Sequence, residues 1–167
     1  KSIADFTKAI NLNPNSEEAY FNRAVVLGDS EHFEEAIKDY DQVITINPQD
    51  GGAYFNRGNA YKALGNSESA LKDFNSALML MEHEDIYFNR ANILQELERY
   101  EEAIADYNSI IKLNPDSADA YFGRGIAYGE NGDNDKALED MEKAKELDPD
   151  NEGILKGIAI ARKIAGQ

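Results

Sequence analysis

The hydrophobic positions of this chain recur every three or four residues, which is the spacing of one face of an α-helix. In residues 1–12 the apolar face is formed by Ile3, Phe6 and Ile10. Asn13-Pro14 follows, and we expect the helix to end there because proline lacks the amide hydrogen that a further turn needs. Comparable amphipathic segments fill the rest of the chain. The pattern therefore predicts an all-α fold.

The amphipathic pattern itself repeats with a nearly fixed period. The segment Ala19-Tyr20-Phe21-Asn22-Arg23 returns with little change, and after 34, 33 and 34 residues its tyrosine recurs as Tyr54, Tyr87 and Tyr121. Such a period is typical of stacked-repeat architectures, in which each unit packs mainly on its neighbours. A lone helix of about a dozen residues is marginal in water, so we expect two helices to pair in each unit and the pairs to stack.

The repeat boundaries follow from the same period. We predict a single array over 1–167, made of a truncated repeat's second helix at 1–16, full repeats at 17–50, 51–83, 84–117 and 118–151, and a terminal capping helix at 152–167. Proline follows a second helix at Pro14, Pro48, Pro115 and Pro149. At Met81-Glu82-His83 the proline is missing and the repeat is one residue short. Either this surface turn tolerates the deletion, or the deletion changes the superhelical pitch.

The composition of the repeat is distinctive. An aromatic residue is followed four positions later by Gly or Ala, glycine stands at the hairpin turn, and alanine, an aromatic residue and a closing proline mark the second helix. This pattern resembles the tetratricopeptide repeat (TPR) over essentially the whole chain. The resemblance implies a right-handed superhelical α-solenoid of antiparallel helix pairs, with the first helices along its concave wall. The chain departs from the family pattern where Tyr replaces the common Trp, and where Glu31 and Glu98 replace the turn glycine.

The net charge of −15, from 32 acidic and 17 basic residues, narrows the range of partners. Binding to phosphate requires positive charge, so nucleic acid and anionic membranes are disfavoured, and a neutral to basic protein or peptide is favoured. No apolar run approaches the roughly 18 residues of a membrane span. The absence of cysteine excludes disulfides and thiolate chemistry. It leaves the redox compartment undecided, with the cytoplasm favoured over secretion.

One column of the repeat carries asparagine two residues after the inward tyrosine, at Asn22, Asn56 and Asn89, and ends at Gly123. The family resemblance places this column on the concave wall, where an amide that donates and accepts hydrogen bonds can bind the backbone of an extended peptide. The alternative is an ordinary polar surface. For the adjacent phenylalanines two roles stay open, namely contact with a ligand and packing between neighbouring first helices. The predicted peptide-binding residues are Phe21, Asn22, Phe55, Asn56, Asn59, Phe88, Asn89, Asn92, Phe122 and Ile126.

A second column carries arginine on the first helices, and a matching column carries aspartate on the second helices. The arginines are Arg23, Arg57, Arg90 and Arg124, and the aspartates are Asp39, Asp73, Asp106 and Asp140, with Asp5 at the same place in the truncated repeat. Because a partly buried guanidinium needs a carboxylate, we predict structural ion pairs between helices rather than cations that bind a ligand.

Signals for catalysis or metal binding are weak. His32 and His83 lie in or near turns and far apart in sequence, so we predict exposed turn residues, with no catalytic residue, metal or cofactor. The TPR clamp for carboxylate tails needs lysine in two columns. The first holds phenylalanine in this chain, and the second holds Glu18, Gly52, Asp85 and Asp119. A carboxylate ligand is therefore disfavoured.

The preferred hypothesis is a non-catalytic protein-interaction scaffold that holds a peptide segment of a partner in its concave groove. One alternative is the substrate-recognition arm of a larger enzyme, because the sequence begins in mid-repeat and without methionine. Another is head-to-tail self-association through the apolar faces of the two end helices. These faces are Ile3, Phe6 and Ile10 at one end, and Leu155, Ile158 and Ile164 at the other.

Overall fold

The computed structural model of the protein describes residues 2–164, which form helices and the turns that join them. No β-strand occurs within this range, and the predicted all-α fold is confirmed. The helices are α1 (Ile3–Leu12), α2 (Glu17–Asp29), α3 (Phe33–Ile46), α4 (Gly51–Ala63), α5 (Ser67–Leu80), α6 (Glu84–Glu96), α7 (Tyr100–Leu113), α8 (Ala118–Glu130), α9 (Asn134–Leu147) and α10 (Glu152–Ile164). The outer positions of the predicted end helices, Lys1 and residues 165–167, lie outside the described residues.

Polar side chains bind the first backbone amides of several helices. The Ser2 hydroxyl accepts a hydrogen bond from the Asp5 amide, and the Asp5 carboxylate accepts one from the Ser2 amide at 3.0 Å. This reciprocal capping box places the start of α1 directly after Ser2. Capping side chains also precede α2, α4 and α8, at Ser16, Asp50 and Ser117. The Ser and Asp residues at these repeat boundaries are therefore helix start signals.

The turns inside the helix pairs each contain one residue with left-handed backbone. These residues are Glu31 (φ 62°), Gly65 (φ 71°), Glu98 (φ 57°) and Gly132 (φ 89°). In the first turn, the Glu31 amide donates to the Gly28 carbonyl at 2.9 Å, and the His32 amide donates to the Leu27 carbonyl at 2.8 Å. These two bonds form a Schellman motif, which normally ends in glycine. The glutamates keep the same backbone at a steric cost that glycine does not have.

The chain divides into two compact units, with the boundary between Ile86 and Tyr87 in α6. In the first unit α2 pairs with α3, α4 pairs with α5, and α4 also packs on α3. Its core includes Ala24, Leu27, Ala36, Tyr40, Val43 and Ala53. In the second unit α8 pairs with α9, α7 packs on α8, and α10 packs on α9. The core cluster beside α10 consists of Met141, Ala144, Ile154 and Ile158.

The predicted apolar end faces are partly wrong. Ile10 is 9% exposed and Ile158 is 5% exposed, so both are buried. Ile158 lies in the core cluster that α10 forms with α9, and α1 packs against α2. By contrast, Ile3, Leu155 and Ile164 are exposed, as that prediction required. The end helices therefore bury Ile10 and Ile158, two of the six residues that a head-to-tail contact was expected to use.

The predicted ion pairs between arginine and aspartate are confirmed. In each repeat the arginine Nε and Nη2 atoms donate to the two oxygens of one carboxylate, with Nε–Oδ2 distances of 2.7 or 2.8 Å. The four aspartates are buried, and each guanidinium also lies over the ring of the tyrosine three residues before it. Hydrogen bonding to Asp73 raises the pKa of Arg57, and burial raises the pKa of Asp106 despite its contact with Arg90.

Three of the arginines, Arg23, Arg57 and Arg124, also contact the preceding second helix of the same unit. The Nη1 atom of Arg23 donates to Thr7 at 3.0 Å, on the preceding second helix. Arg57 reaches Asp41 on α3 in the same way. In these three repeats the arginine thus stabilises both its own helix pair and the contact to the pair before it. These side chains are fully engaged in the frame, which supports a structural role and not a ligand-binding one.

Candidate functional site

The predicted phenylalanines all lie half-buried against the second helix of their own repeat. Ring centroids are 5.8 Å apart for Phe21 and Tyr40, 6.0 Å for Phe55 and Phe74, and 6.0 Å for Phe88 and Tyr107. Phe122 packs on the cluster around Met141. A methyl group on Gly157 would lie 2.6 Å from the Phe122 ring, so this ring also covers the next first helix. Each ring thus has a packing role in addition to any contact with a ligand.

The predicted asparagines fall into different environments, although all are half-buried. The Asn22 side-chain amide donates to the Glu18 carbonyl of its own helix at 2.7 Å. Asn92 Oδ1 lies 3.0 Å from the Tyr107 hydroxyl. Asn56 and Asn59 form no side-chain hydrogen bond with any residue in the described part of the chain. The asparagine column is therefore not equivalent from one repeat to the next.

Asn56 and Asn59 line an open cleft between α2, α3 and α4, which we call the polar cleft. Its volume is about 240 Å³, and its walls include Val25, Asp29, Phe33, Tyr40, Asn56 and Asn59. The two amides are one helical turn apart on α4, so they lie on the same face. The structure brings these two predicted site residues together with Tyr40 and Asp29, which were not among the predicted site residues.

The polar cleft offers donors and acceptors without a strong cation. Burial raises the pKa of Tyr40, and the nearby Asp29 and Asp39 carboxylates raise it further, so the phenol stays protonated at neutral pH. Each asparagine amide supplies donors and an acceptor, and Asp29 adds negative charge at the mouth. This combination suits a peptide backbone and disfavours an anion.

The matching place between α6, α7 and α8 is filled. Tyr107 is 1% exposed, and its hydroxyl lies 2.7 Å from Gln95 Oε1 as well as against Asn92. A methyl group on Gly123 would lie 2.5 Å from the Tyr107 ring. The asparagine column therefore stops at Gly123 because the tyrosine ring occupies the space that a side chain would need. Asn92, predicted as a ligand contact, has an internal partner here.

A second open cleft lies between α8, α9 and α10, and we call it the apolar cleft. Its volume is about 400 Å³, and its walls include Phe122, Ile126, Met141, Gly157, Ile160 and Ile164. Phe122 and Ile126 were predicted as site residues, whereas the α10 residues were missed. Their signal was present, because Gly157 and Ile160 stand three repeats after Asn56 and Asn59 in the same columns.

The remaining expectations concern other kinds of site. Both histidines are exposed, as predicted. Within residues 2–164, no group of three or more His, Asp or Glu side chains is placed to hold a metal ion. Over the same range, no helix is both long and apolar enough to cross a membrane.

The fold and its clefts define a helical-repeat protein in which ligand-sized spaces open between successive helices. Models of the tetratricopeptide repeat match residues 6–38, 52–83 and 88–152, and a model described as TPR repeat matches residues 29–65. The chain belongs to the tetratricopeptide repeat family, as its sequence pattern indicated. It is accordingly a TPR-type protein-interaction scaffold.

Solved structures with the same fold support this assignment. One is YrrB, described as a TPR protein with an unusual peptide-binding site, with 26% identity and a TM-score of 0.85 over 96% of this chain and 84% of that one. Another is MamA from Desulfovibrio magneticus RS-1, with 22% identity and a TM-score of 0.86 over 90% of this chain and 85% of that one. At that identity the similarity to MamA shows the fold alone. A comparison with curated protein sequences gave no match.

Proposed function

We propose that this chain is a non-catalytic scaffold whose polar cleft binds an extended segment of a partner protein. The observation that carries the proposal is the pair of half-buried amides, Asn56 and Asn59, which line the cleft without a hydrogen-bond partner among the described residues. A ligand that satisfies both the donors and the acceptor of such a half-buried amide gains the most binding free energy from it. The peptide-binding site described for YrrB is consistent with this proposal.

The expected ligand is neutral to basic. An extended peptide presents alternating N–H and C=O groups, which two amides on one face of α4 can bind without regard to side chains. Asp29 and the net charge of −15 oppose an acidic segment. Within the first unit, the other predicted contacts Phe21, Asn22 and Phe55 are proposed to extend the surface on which the segment lies. Phe88 and Asn89 stay predicted peptide contacts of the second unit.

The test uses a hexapeptide library with equal numbers of neutral, lysine-containing and glutamate-containing members. The chain is compared with the Asn56→Ala/Asn59→Ala double variant, and with Gln42→Ala as a matched control, because Gln42 is an exposed amide of α3 outside the cleft. We expect neutral and lysine-containing peptides to be enriched. Calorimetry should then show about tenfold weaker binding to the double variant, or about 1.4 kcal/mol, and no change for Gln42→Ala. Equal affinity for all three proteins would contradict the proposal.

A further inference from the structure

The apolar cleft has features of a binding site for a side chain and not for a backbone. Ile126 and Phe122 of α8 face Ile160 and Ile164 of α10 across it, and the α10 isoleucines are 62% and 65% exposed. At Gly157 no side chain projects into the space, and the Phe122 ring lies there instead. Large exposed isoleucines beside an open cavity are unfavourable in water and gain free energy when a partner covers them.

The mouth of this cleft is acidic. The cleft continues into a concavity at the α8–α9 turn, which shares Asn134 and Ile164 with it and includes Asp133 and Asp135. Glu130 stands at the junction. The nearby cations are already paired, since Lys136 lies 2.6 Å from Asp133 and Lys156 lies 3.0 Å from Glu152. Glu130 and Asp135 have no ion pair within the described residues. The mouth therefore favours a cation beside the buried group.

We infer that the apolar cleft receives a leucine, isoleucine or phenylalanine side chain of a partner peptide, with a lysine or arginine adjacent to it against Glu130 and Asp135. This inference rests on the proposed function in one respect, namely that the ligand is a segment of another protein. It assigns a sequence preference to the segment that binds the apolar cleft, and the polar cleft supplies no such preference because amides bind a backbone. It also concerns different residues, so the two can fail separately.

The experiment follows the isoleucine methyl groups and the asparagine side-chain amides by NMR. The probes are N-acetylated, C-amidated pentapeptides with the sequences Gly-Lys-Leu-Lys-Gly, Gly-Lys-Ser-Lys-Gly and Gly-Glu-Leu-Glu-Gly. We expect the first probe to shift the Ile126 methyl resonances, and the second and third to bind at least tenfold more weakly. The preference for lysine over glutamate should shrink at 1 M salt, because the Debye length is then roughly 3 Å and charges on the peptide and the cleft are screened from each other.

Two variants test the location. Ile160→Asn removes an exposed wall of the apolar cleft and should weaken the leucine probe about tenfold. Leu155→Asn is the matched control, since Leu155 is an exposed α10 residue outside the cleft, and it should leave binding unchanged. Thermal unfolding of both variants verifies that they fold.

Several results would overturn the inference. Equal shifts with the serine probe would exclude an apolar pocket, and equal shifts with the glutamate probe would exclude the acidic mouth. Ile126 shifts that depend on protein concentration without peptide would mean that a second copy fills the cleft. Shifts confined to the Asn56 and Asn59 amides would reject this inference and leave the proposed function standing. No response in either cleft would count against both.

Discussion

The polar cleft and the apolar cleft occupy the same structural position three repeats apart, yet they offer opposite chemistry. Matching residues are Val25 and Ile126, Asp29 and Glu130, Tyr40 and Met141, Asn56 and Gly157, and Asn59 and Ile160. The carboxylate at the mouth is kept, whereas two amides and a hydroxyl are replaced. The repeat thus supplies a common frame, and a few positions facing the cleft decide whether a backbone or an apolar side chain is favoured.

The two clefts also differ in how their last helix is held. In the polar cleft α4 carries Arg57, which binds Asp41 on α3 and the buried Asp73 on α5. In the apolar cleft the same column of α10 holds Ile158, and Arg162 one turn later reaches Glu142. That second pair is exposed, with side-chain exposures of 53% and 35%. The last helix of the polar cleft is therefore held by a buried, bidentate ion pair, and that of the apolar cleft by an exposed ion pair.

The largest expected effect comes from removing the buried ion pair between Arg57 and Asp73. Arg57→Met keeps the length of the side chain but leaves the Asp73 carboxylate, at 3% exposure, without its cation. We expect unfolding free energy to fall by about 3–5 kcal/mol. Arg162→Met should cost less than about 1 kcal/mol, because its pair is exposed. Urea denaturation followed by circular dichroism measures both, and adding Asp73→Asn to Arg57→Met should recover part of the loss. Equal costs for the two arginines would show that burial does not distinguish them.

A second prediction concerns the filled place between α6, α7 and α8, which has the same position within its repeat as the two clefts. Gly123→Asn restores the asparagine column, but its side chain collides with Tyr107, and such overpacking costs about 1–3 kcal/mol. In a Tyr107→Met background, which copies Met141 of the apolar cleft, the same substitution should cost much less. Denaturation of the four proteins forms a double-mutant cycle. The absence of coupling between the two positions would mean that Tyr107 does not close this cleft.

The third prediction changes the chemistry of the polar cleft without changing its frame. Asn59→Ile gives α4 the residue that α10 has at Ile160. We expect about tenfold weaker binding of the peptide selected on the wild-type chain, or about 1.4 kcal/mol, because one amide is lost. Calorimetry measures the affinity, and Gln42→Ala, which changes an exposed amide of α3 outside both clefts, is the control that should leave it unchanged. Unaltered binding to Asn59→Ile would remove Asn59 from the site.

The fourth prediction concerns two buried tyrosines, Tyr40 in the polar cleft and Tyr107 in the filled place between α6, α7 and α8. Burial raises the pKa of Tyr107 and of Tyr40 above the unfolded value of about 10. Their contribution to stability is therefore complete below pH 10 and is lost as pH rises above it. At pH 11 each should cost about 1 kcal/mol of unfolding free energy. Tyr107→Phe and Tyr40→Phe should each make the decline shallower in alkaline denaturation series. A slope equal to that of the wild type in both variants would contradict this account.

The sequence predicted what the repeat imposes on every copy. The helices, and the pairing of Arg57 with Asp73 and its counterparts, recur in fixed columns, and the structure confirms them. Differences between copies were harder to predict. Gly123 was visible as a gap in the asparagine column, but its cause is the Tyr107 ring on another helix. Comparing a residue with its equivalents in other repeats does not reveal its spatial neighbours, so Asn92 was predicted as a peptide contact without its partner Tyr107.

The α10 wall of the apolar cleft was missed for a related reason. Glu152–Ile164 was assigned as a capping helix, and its apolar residues were attributed to an end face. Whether an apolar residue of α10 lies in the core or in the cleft depends on which neighbour covers it. Ile158 faces the core, whereas Ile160 faces the cleft. Hydrophobic periodicity marks an apolar face but does not say whether protein or ligand completes it.

The smallest expected effect concerns the turns that lead into the two clefts. Glu31 joins α2 to α3 beside the polar cleft, and Gly132 joins α8 to α9 beside the apolar cleft, both with left-handed backbone. A side chain at Gly132 would meet no atom within 4 Å, so only the backbone conformation opposes it. We expect Glu31→Gly to raise, and Gly132→Ala to lower, the unfolding free energy by about 0.5–1 kcal/mol each. If backbone strain decides the outcome, urea denaturation shows changes in unfolding free energy of opposite sign for the two variants. The same sign for both would mean that Glu31 contributes an interaction larger than its strain.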